Sequence, residues 1–230
     1  MYLTAILLAA GKGRRLQSRI PKPLVKLETL PLIVHSLKAL SLNRFVKDII
    51  VVVNPRNSKS VKKSIISYRI KKVKRIVFGG KLRQDSVRKG LGAIGRETDF
   101  VLIHDAARPF IDSNMITKVV REARKSGAAV AGVPVKDTIK ELRVSKCQSV
   151  KVSRTLERKN LWQIQTPQVF RKDLILEAYQ RFGGAKVTDD ASLVEKLGAG
   201  VTVAMGAYTN IKITTPEDLI IARAIVRNKK

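Results

Sequence analysis

In the segment AILLAAGKGRRLQSRIPKPLVKL, residues 5–27, an apolar run stops at two glycines and a dense set of cations follows. Small residues at Ala9, Ala10, Gly11 and Gly13 let backbone N–H groups come close to an anion, and Arg14, Arg15 and Lys22 bring positive charge to the same place. A nucleoside triphosphate suits that combination. The segment is neither a dinucleotide fingerprint nor a Walker loop. Residues 11–16 read GKGRRL, without the third glycine of G-x-G-x-x-G and without a Gly-Lys step into Ser or Thr.

Other residues extend the chemistry. Asp105 follows the run FVLIH, where a carboxylate at a strand end can hold Mg²⁺ or a ribose hydroxyl. Arg108, three residues on, suits a phosphate oxygen. In GGKLRQDSV, Gly80 and Ser86 offer a backbone donor and a hydroxyl for a pyrimidine edge, and equally well mark a helix N-terminus. Lys212 in NIKIT reads as a cation at the end of an apolar strand, where an unpaired charge is costly; that points to an anionic ligand. No His/carboxylate pair stands out for proton transfer. His104 reads as structural, His35 as a helix-surface residue, Trp162 as core and Cys147 as part of a turn. The single cysteine excludes an intramolecular disulfide and argues against a cysteine-based zinc site.

These residues need a scaffold, and the chain alternates in the way that builds one. LTAILL, DIIVVV, KRIVF, FVLIH and GAAVAGVP read as buried strands of a largely parallel sheet. Amphipathic helices are predicted over residues 32–42, 58–68, 86–95 and 113–126. The expectation is an α/β fold, Rossmann-like and layered, occupying residues 1–230 as one domain, with binding residues at the carboxyl ends of the strands. The rhythm breaks at residues 135–156, where DTIKEL and SVKVSRTL flank the polar turn RVSKCQ and predict a projecting β-hairpin arm. Helices are expected again over 171–182 and 189–197, then strands at GVTVAMG and NIKIT. A last helix opens at TPEDL, with Thr215 as N-cap and Pro216 in the first position.

Composition sets outer limits. The 230 residues can bury a substantial core, and 44% are hydrophobic. Charge is the anomaly: 46 Lys+Arg against 18 Asp+Glu give a formal +28. Such a surface attracts polyanions, but the cations are scattered and only six Phe and four Tyr could serve as stacking platforms, so no specific nucleic-acid partner is expected. The N-terminal MYLTAILLAA is short and lacks a basic start, and no apolar run approaches the length of a membrane span. No membrane partner and a cytoplasmic location are expected.

The stretch LLAAGKGRRL…PKPL resembles the signature of nucleotidyltransferases that join a nucleoside triphosphate to a sugar or polyol phosphate, without choosing among them. HDAARPF, VPVKDT, ERKNLWQIQTPQVF, TDDASLVE and NIKITTPEDL then follow in order. Together they resemble the 2-C-methyl-D-erythritol 4-phosphate cytidylyltransferases of the non-mevalonate isoprenoid pathway. The resemblance implies a nucleotidyltransferase fold, CTP and methylerythritol phosphate as substrates, Mg²⁺ as cofactor and a homodimer clasped by the arm. It implies that Arg15 and Lys22 stabilise charge at the α-phosphate. Arg158 and Lys212 would position the acceptor, with Arg108, Thr138 and Thr188 beside it. Ala9, Ala10, Gly11, Gly13, Gly80, Ser86 and Asp105 would hold CTP, and Asp105 also the metal. The nearest alternative is a nucleotidyltransferase acting on ribitol 5-phosphate or another polyol or sugar phosphate.

Overall fold

The computed structural model describes residues 1–144 and 150–228. Among the described residues, eleven strands and seven α-helices run in the order β1 (Leu3–Ala9), β2 (Lys26–Leu27), β3 (Leu30–Pro31), α1 (Leu32–Leu42), β4 (Val46–Val53), α2 (Ser58–Ser67), β5 (Val73–Phe78), α3 (Arg83–Leu91), β6 (Phe100–Asp105), α4 (Ser113–Ser126), β7 (Ala128–Pro134), β8 (Lys140–Val144), β9 (Val150–Thr155), β10 (Trp162–Arg171), α5 (Lys172–Phe182), α6 (Ala191–Lys196), β11 (Thr202–Met205) and α7 (Pro216–Arg227). Seven strands form the central sheet in the order β11-β7-β10-β6-β1-β4-β5. All neighbours are parallel except β10, which runs antiparallel between β6 and β7.

Strand alternation explains the layers. In β1, Leu3, Ala5, Leu7 and Ala9 face a core shared with α1, α2 and α4. Ile6 faces the opposite way, into a core shared with α3, α5 and α6. A β-strand sends successive side chains to opposite faces, so one run of mixed apolar residues serves both layers. A third, smaller core joins Leu16, Leu27, Leu32, Phe110 and Ile213 to Ala222 of α7. One edge of the sheet is β5, whose Lys74 and Arg75 are exposed.

Chain order decides where a ligand can go. From β1 the chain builds outward through β4 and β5, then crosses back to place β6 on the other side of β1. The carboxyl ends of β1 and β6 therefore feed connections that leave in opposite directions, and a crevice opens between them. Ala9 and Asp105 stand at this rim, with Leu8 directly beside Asp105 across the strand pair.

Three expectations change. WQIQTPQVF, left without a strand assignment by the periodicity, is the core of the ten-residue β10, and its Trp162 is 37% exposed rather than core. NIKIT is not a strand. It is an extended segment attached through the Ile213 N–H to the Ala107 carbonyl at 2.9 Å, with Ile213 buried. Helix α3 starts three residues earlier than expected, at Arg83. The arm is present as the antiparallel pair β8–β9. The expected turn residue Cys147 lies outside the described residues.

Helix α3 carries part of the rim, and Gly90 lets it sit close to the sheet. A Cβ at Gly90 would lie 2.6 Å from Ile6 Cγ2, a buried methyl of the central strand. Alanine is the better helix former by about 1 kcal/mol, but forcing that contact apart costs roughly 1–3 kcal/mol. Gly90→Ala should therefore lower the urea midpoint followed by circular dichroism. An unchanged or higher midpoint would contradict this packing.

Candidate active site

At the carboxyl ends of β1 and β6 lies a cleft of about 420 Å³. It brings together the predicted Ala9, Ala10, Gly11, Gly13, Arg14, Arg15, Lys22, Gly80, Ser86, Asp105 and Lys212, drawn from five separate stretches of sequence. The glycine loop is shaped by specific constraints. Gly13 has φ 62°, a left-handed conformation that favours glycine, and a Cβ there would come within 2.8 Å of Lys22 Cβ. Leu16, buried in the third core, anchors the single 3₁₀ turn Arg14–Leu16 from below. A second such turn, Lys22–Leu24, is pinned by buried Pro23, so Lys22 leaves a rigid corner and lies against Gly13.

Asp105 is the electrostatic centre. It is buried, with Lys212 Nζ 2.6 Å from Oδ2 and Arg83 Nε 3.2 Å from Oδ1. Burial alone would raise its pKa, but Arg83 and Lys212 outweigh that and hold the carboxyl well below the usual carboxylate range. Lys212 is thus neither buried nor unpaired, as the strand reading had it: its side chain is 43% exposed and its partner is Asp105. The segment that carries it is fixed by Asp218 of α7, whose carboxylate accepts from the Thr214 and Thr215 N–H groups at 2.7 and 2.9 Å. Thr215 caps that helix as expected.

Arg83 is the residue the sequence reading passed over. Its Nη2 reaches Asp190 Oδ2 at 2.8 Å while Nε holds Asp105. Burial lowers its pKa, but Asp190 and Asp105 more than compensate, and the net shift is upward. Arg83 lies in the middle of GGKLRQDSV, at the first position of α3, and nothing in the local sequence marks it out from the other cations. Lys22 is shifted the other way, lowered to about 8, chiefly by burial and then by the neighbouring Lys212. Asp105 is the one carboxylate lining the cleft among the described residues, and it cannot balance the positive charge gathered there.

The remaining predicted residues sit elsewhere or are otherwise engaged. The Gly80 N–H donates to Ser86 Oγ at 3.2 Å, and that hydroxyl donates to the Leu82 carbonyl, so the two groups expected to read a base are paired within the α3 start. Arg108 turns inward, with Nη1 2.7 Å from the Asn210 carbonyl, outside the cleft lining. Thr138 and Arg158 are exposed at the base of the arm, where Arg158 donates to the Lys136 carbonyl. Thr188 is exposed, two residues before Asp190. His104 is fully buried: Nε2 faces the Arg108 carbonyl at 3.1 Å and Nδ1 faces the Thr166 hydroxyl at 2.9 Å. A carbonyl only accepts, so Nε2 carries the proton of the neutral ring and Nδ1 accepts from the Thr166 hydroxyl, which itself accepts from the Asp105 N–H. Burial holds this neutral ring down at about 4, and the structural reading stands.

No group of three or more potential ligands gathers to cage a metal among the described residues. The donor set does fit a hard cation that takes one carboxylate, Asp105, and fills the rest of its shell with phosphate oxygens and water, as Mg²⁺ does. No helix among the described residues is long and apolar enough to cross a membrane.

Comparison with known proteins agrees with this arrangement. Residues 3–228 match the family described as 2-C-methyl-D-erythritol 4-phosphate cytidylyltransferase (IspD). Proteins of that name from Shouchella clausii and Alkaliphilus oremlandii are 45% and 44% identical; the alignments cover 100% and 99% of this chain and 99% and 96% of theirs. Among solved structures, 4-diphosphocytidyl-2C-methyl-D-erythritol synthase of Anaerococcus prevotii superposes with a TM-score of 0.85 at 31% identity over 98% of each chain. The 2-C-methyl-D-erythritol 4-phosphate cytidylyltransferase of Thermus thermophilus does so with 0.79 at 31% identity, over 99% of this chain and 100% of its own.

The crowding of cations around Lys22 has a measurable consequence. Its proton is present below about pH 8 and lost above it in the free protein, so attraction for an anion weakens in that direction. Affinity for inorganic triphosphate, measured by calorimetry, should fall as pH rises through about 8. Lys22→Met should bind weakly and lack that limb. A wild-type affinity flat from pH 7 to 9.5 would remove Lys22 from the anion site.

Proposed function

The chain belongs to the 2-C-methyl-D-erythritol 4-phosphate cytidylyltransferase family, and we propose that it transfers CMP from CTP to 2-C-methyl-D-erythritol 4-phosphate. The products are 4-CDP-2-C-methyl-D-erythritol and pyrophosphate, on the route to isoprenoid precursors. The observation that carries this reading is the cleft at the switch between β1 and β6, where Lys22, Arg15 and the Lys212–Asp105 pair surround a glycine loop.

A phosphate oxygen of the acceptor attacks the α-phosphorus of CTP. The new P–O bond forms as the bond to the β-phosphate bridge oxygen breaks, and the electron pair leaves with pyrophosphate. The nucleophile is already an anion, so no general base is required. Neutral His104, with both ring nitrogens engaged, is not available as one. The work is to bring two anions together and to stabilise charge that grows in flight, which positioned cations do well in a partly dry cleft. Arg15 and Lys22 face the α-phosphate, and Lys212 holds the acceptor phosphate in line. Asp105 would hold Mg²⁺ together with triphosphate oxygens; the ion supplies charge neutralisation when bound. Ala9, Ala10, Gly11 and Gly13 supply the close backbone approach.

Arg158 and Thr138 belong to the same reaction through a second copy. The arm exposes Leu142, Val150 and Val152 at 51%, 57% and 59%. A two-stranded hairpin with bare apolar residues is marginal in water without a partner surface. In a C₂ dimer clasped by the arms, Arg158 and Thr138 reach the neighbour's acceptor site while Lys22 acts within its own subunit.

Pyrophosphate release should depend on CTP, methylerythritol phosphate and a divalent metal together. Faster turnover with ribitol 5-phosphate, or with UTP and a hexose phosphate, would refute the acceptor assignment. Mixing Lys22→Ala with Arg158→Ala subunits tests the dimer. In a mixed dimer one site inherits both defects and the other neither, so about a quarter of wild-type activity should return after random 1:1 exchange. No recovery despite confirmed exchange would place Arg158 in its own subunit's site or outside any site.

A further inference from the structure

An alternating chain of charges crosses the cleft wall: Lys212, Asp105, Arg83 and Asp190, with contacts of 2.6, 3.2 and 2.8 Å. Its last member does not line the cleft, yet it is held as fully as Asp105. Asp190 is buried; Oδ1 accepts from the Tyr179 hydroxyl at 2.6 Å, Oδ2 accepts from Arg83, and its own N–H donates to Gln168 Oε1 at 3.2 Å. Gln168 also holds Asp189, through Nε2 to Oδ2 at 2.8 Å, and sits on β10 opposite Ile103 of β6. Asp189 and Asp190 are therefore tied to β10, the strand paired with the one that ends at Asp105.

We propose that Arg83 is a positioning residue that sets the acceptor residues, Lys212 in the cleft and Thr188 outside its lining, against the nucleotide side through a two-armed contact to Asp105 and Asp190. The inference rests on the cytidylyltransferase reading, because that reading makes Thr188 and Lys212 acceptor residues. An ion pair that only stabilised the fold would not need to line the cleft. Arg83 does line it, and it shares Asp105 with the very cation that receives the acceptor. The planar guanidinium matters as well as its charge. Nε faces one carboxylate and Nη2 the other, a fixed fork that a single ammonium cannot reproduce. Asp105 is thereby held from both sides, and the segment bearing Thr188 keeps a fixed distance from it.

Charge and geometry can be separated by experiment. CTP affinity is measured by calorimetry, and kcat and the acceptor KM by pyrophosphate release at saturating CTP, with Tm recorded for every variant. Asp190→Asn should leave CTP affinity within about twofold and raise the acceptor KM about tenfold, because it loosens Arg83 without touching the nucleotide cleft. Arg83→Lys should retain CTP affinity and show the same acceptor defect. Arg83→Gln should lose both. The double variant Arg83→Gln/Asp190→Asn should be no worse toward the acceptor than Arg83→Gln alone, as expected for two residues acting through one contact. If Asp190→Asn does not fold, Tyr179→Phe removes one support of Asp190 and should raise the acceptor KM about threefold. Wild-type acceptor kinetics in folded Arg83→Lys or Asp190→Asn, whatever the change in Tm, would reduce the bridge to a fold contact and overturn the proposal. Failure of the underlying reading would appear in the wild-type protein alone, as no pyrophosphate release with methylerythritol phosphate.

Discussion

The buried carboxylate of Asp105 is the constraint to which the rest of the cleft answers. Taking a carboxylate out of water costs several kcal/mol. Two cations from distant parts of the chain offset that cost, one at the head of α3 and one on the segment leading to α7. Removing either leaves the buried charge half-compensated, at a cost below the about 3–5 kcal/mol of leaving such a charge with no partner at all. The need to satisfy one side chain thus fixes two otherwise independent elements at the rim of the sheet. Position follows from electrostatics here, and the backbone supplies the means: Thr166 holds the Asp105 N–H, and buried neutral His104 holds Thr166.

The surplus of cations has a second meaning. Lys22, Arg15 and Lys212 repel one another across a cleft with a single lining acid among the described residues, and part of that repulsion appears as the lowered pKa of Lys22. An anionic ligand relieves the repulsion as it binds. The arrangement is most comfortable with both anions bound; phosphoryl transfer keeps their total charge and moves it toward the leaving pyrophosphate, where positioned cations stabilise it.

Much of this could be read before any coordinates. The glycine loop, Lys22 and Asp105 were legible because each sits where an apolar strand gives way to small or charged residues, and strand ends are where α/β proteins bind. The strand β10 was hidden because WQIQTPQVFR alternates poorly and contains a proline; it belongs in the sheet through pairing on both sides. NIKIT looked like a strand for the opposite reason: its alternating Ile211 and Ile213 pack into the third core without any ladder. Arg83 was invisible because nothing local distinguishes it from the other cations of a basic region. Its partners come from β6 and from the start of α6, and no sequence pattern joins those places. Gly80 and Ser86 were noticed for a chemistry their own pairing takes up.

The β5 edge of the sheet gives part of the +28 charge a use unrelated to chemistry. β5 ends the sheet with a row of backbone groups that another strand could complete, and such edges invite filaments and clumps. Lys74 and Arg75 stand exposed on that edge, and Lys59, Lys62 and Lys63 stud the adjoining α2, with no acid between Arg56 and Lys81. Two copies meeting edge to edge would bring like charges together before any ladder could form. The same sheet carries β11 at its other margin, only four residues long, beside the arm-bearing end. One margin thus opposes edge-to-edge pairing by repulsion, and the other offers only a short run for a second strand to copy.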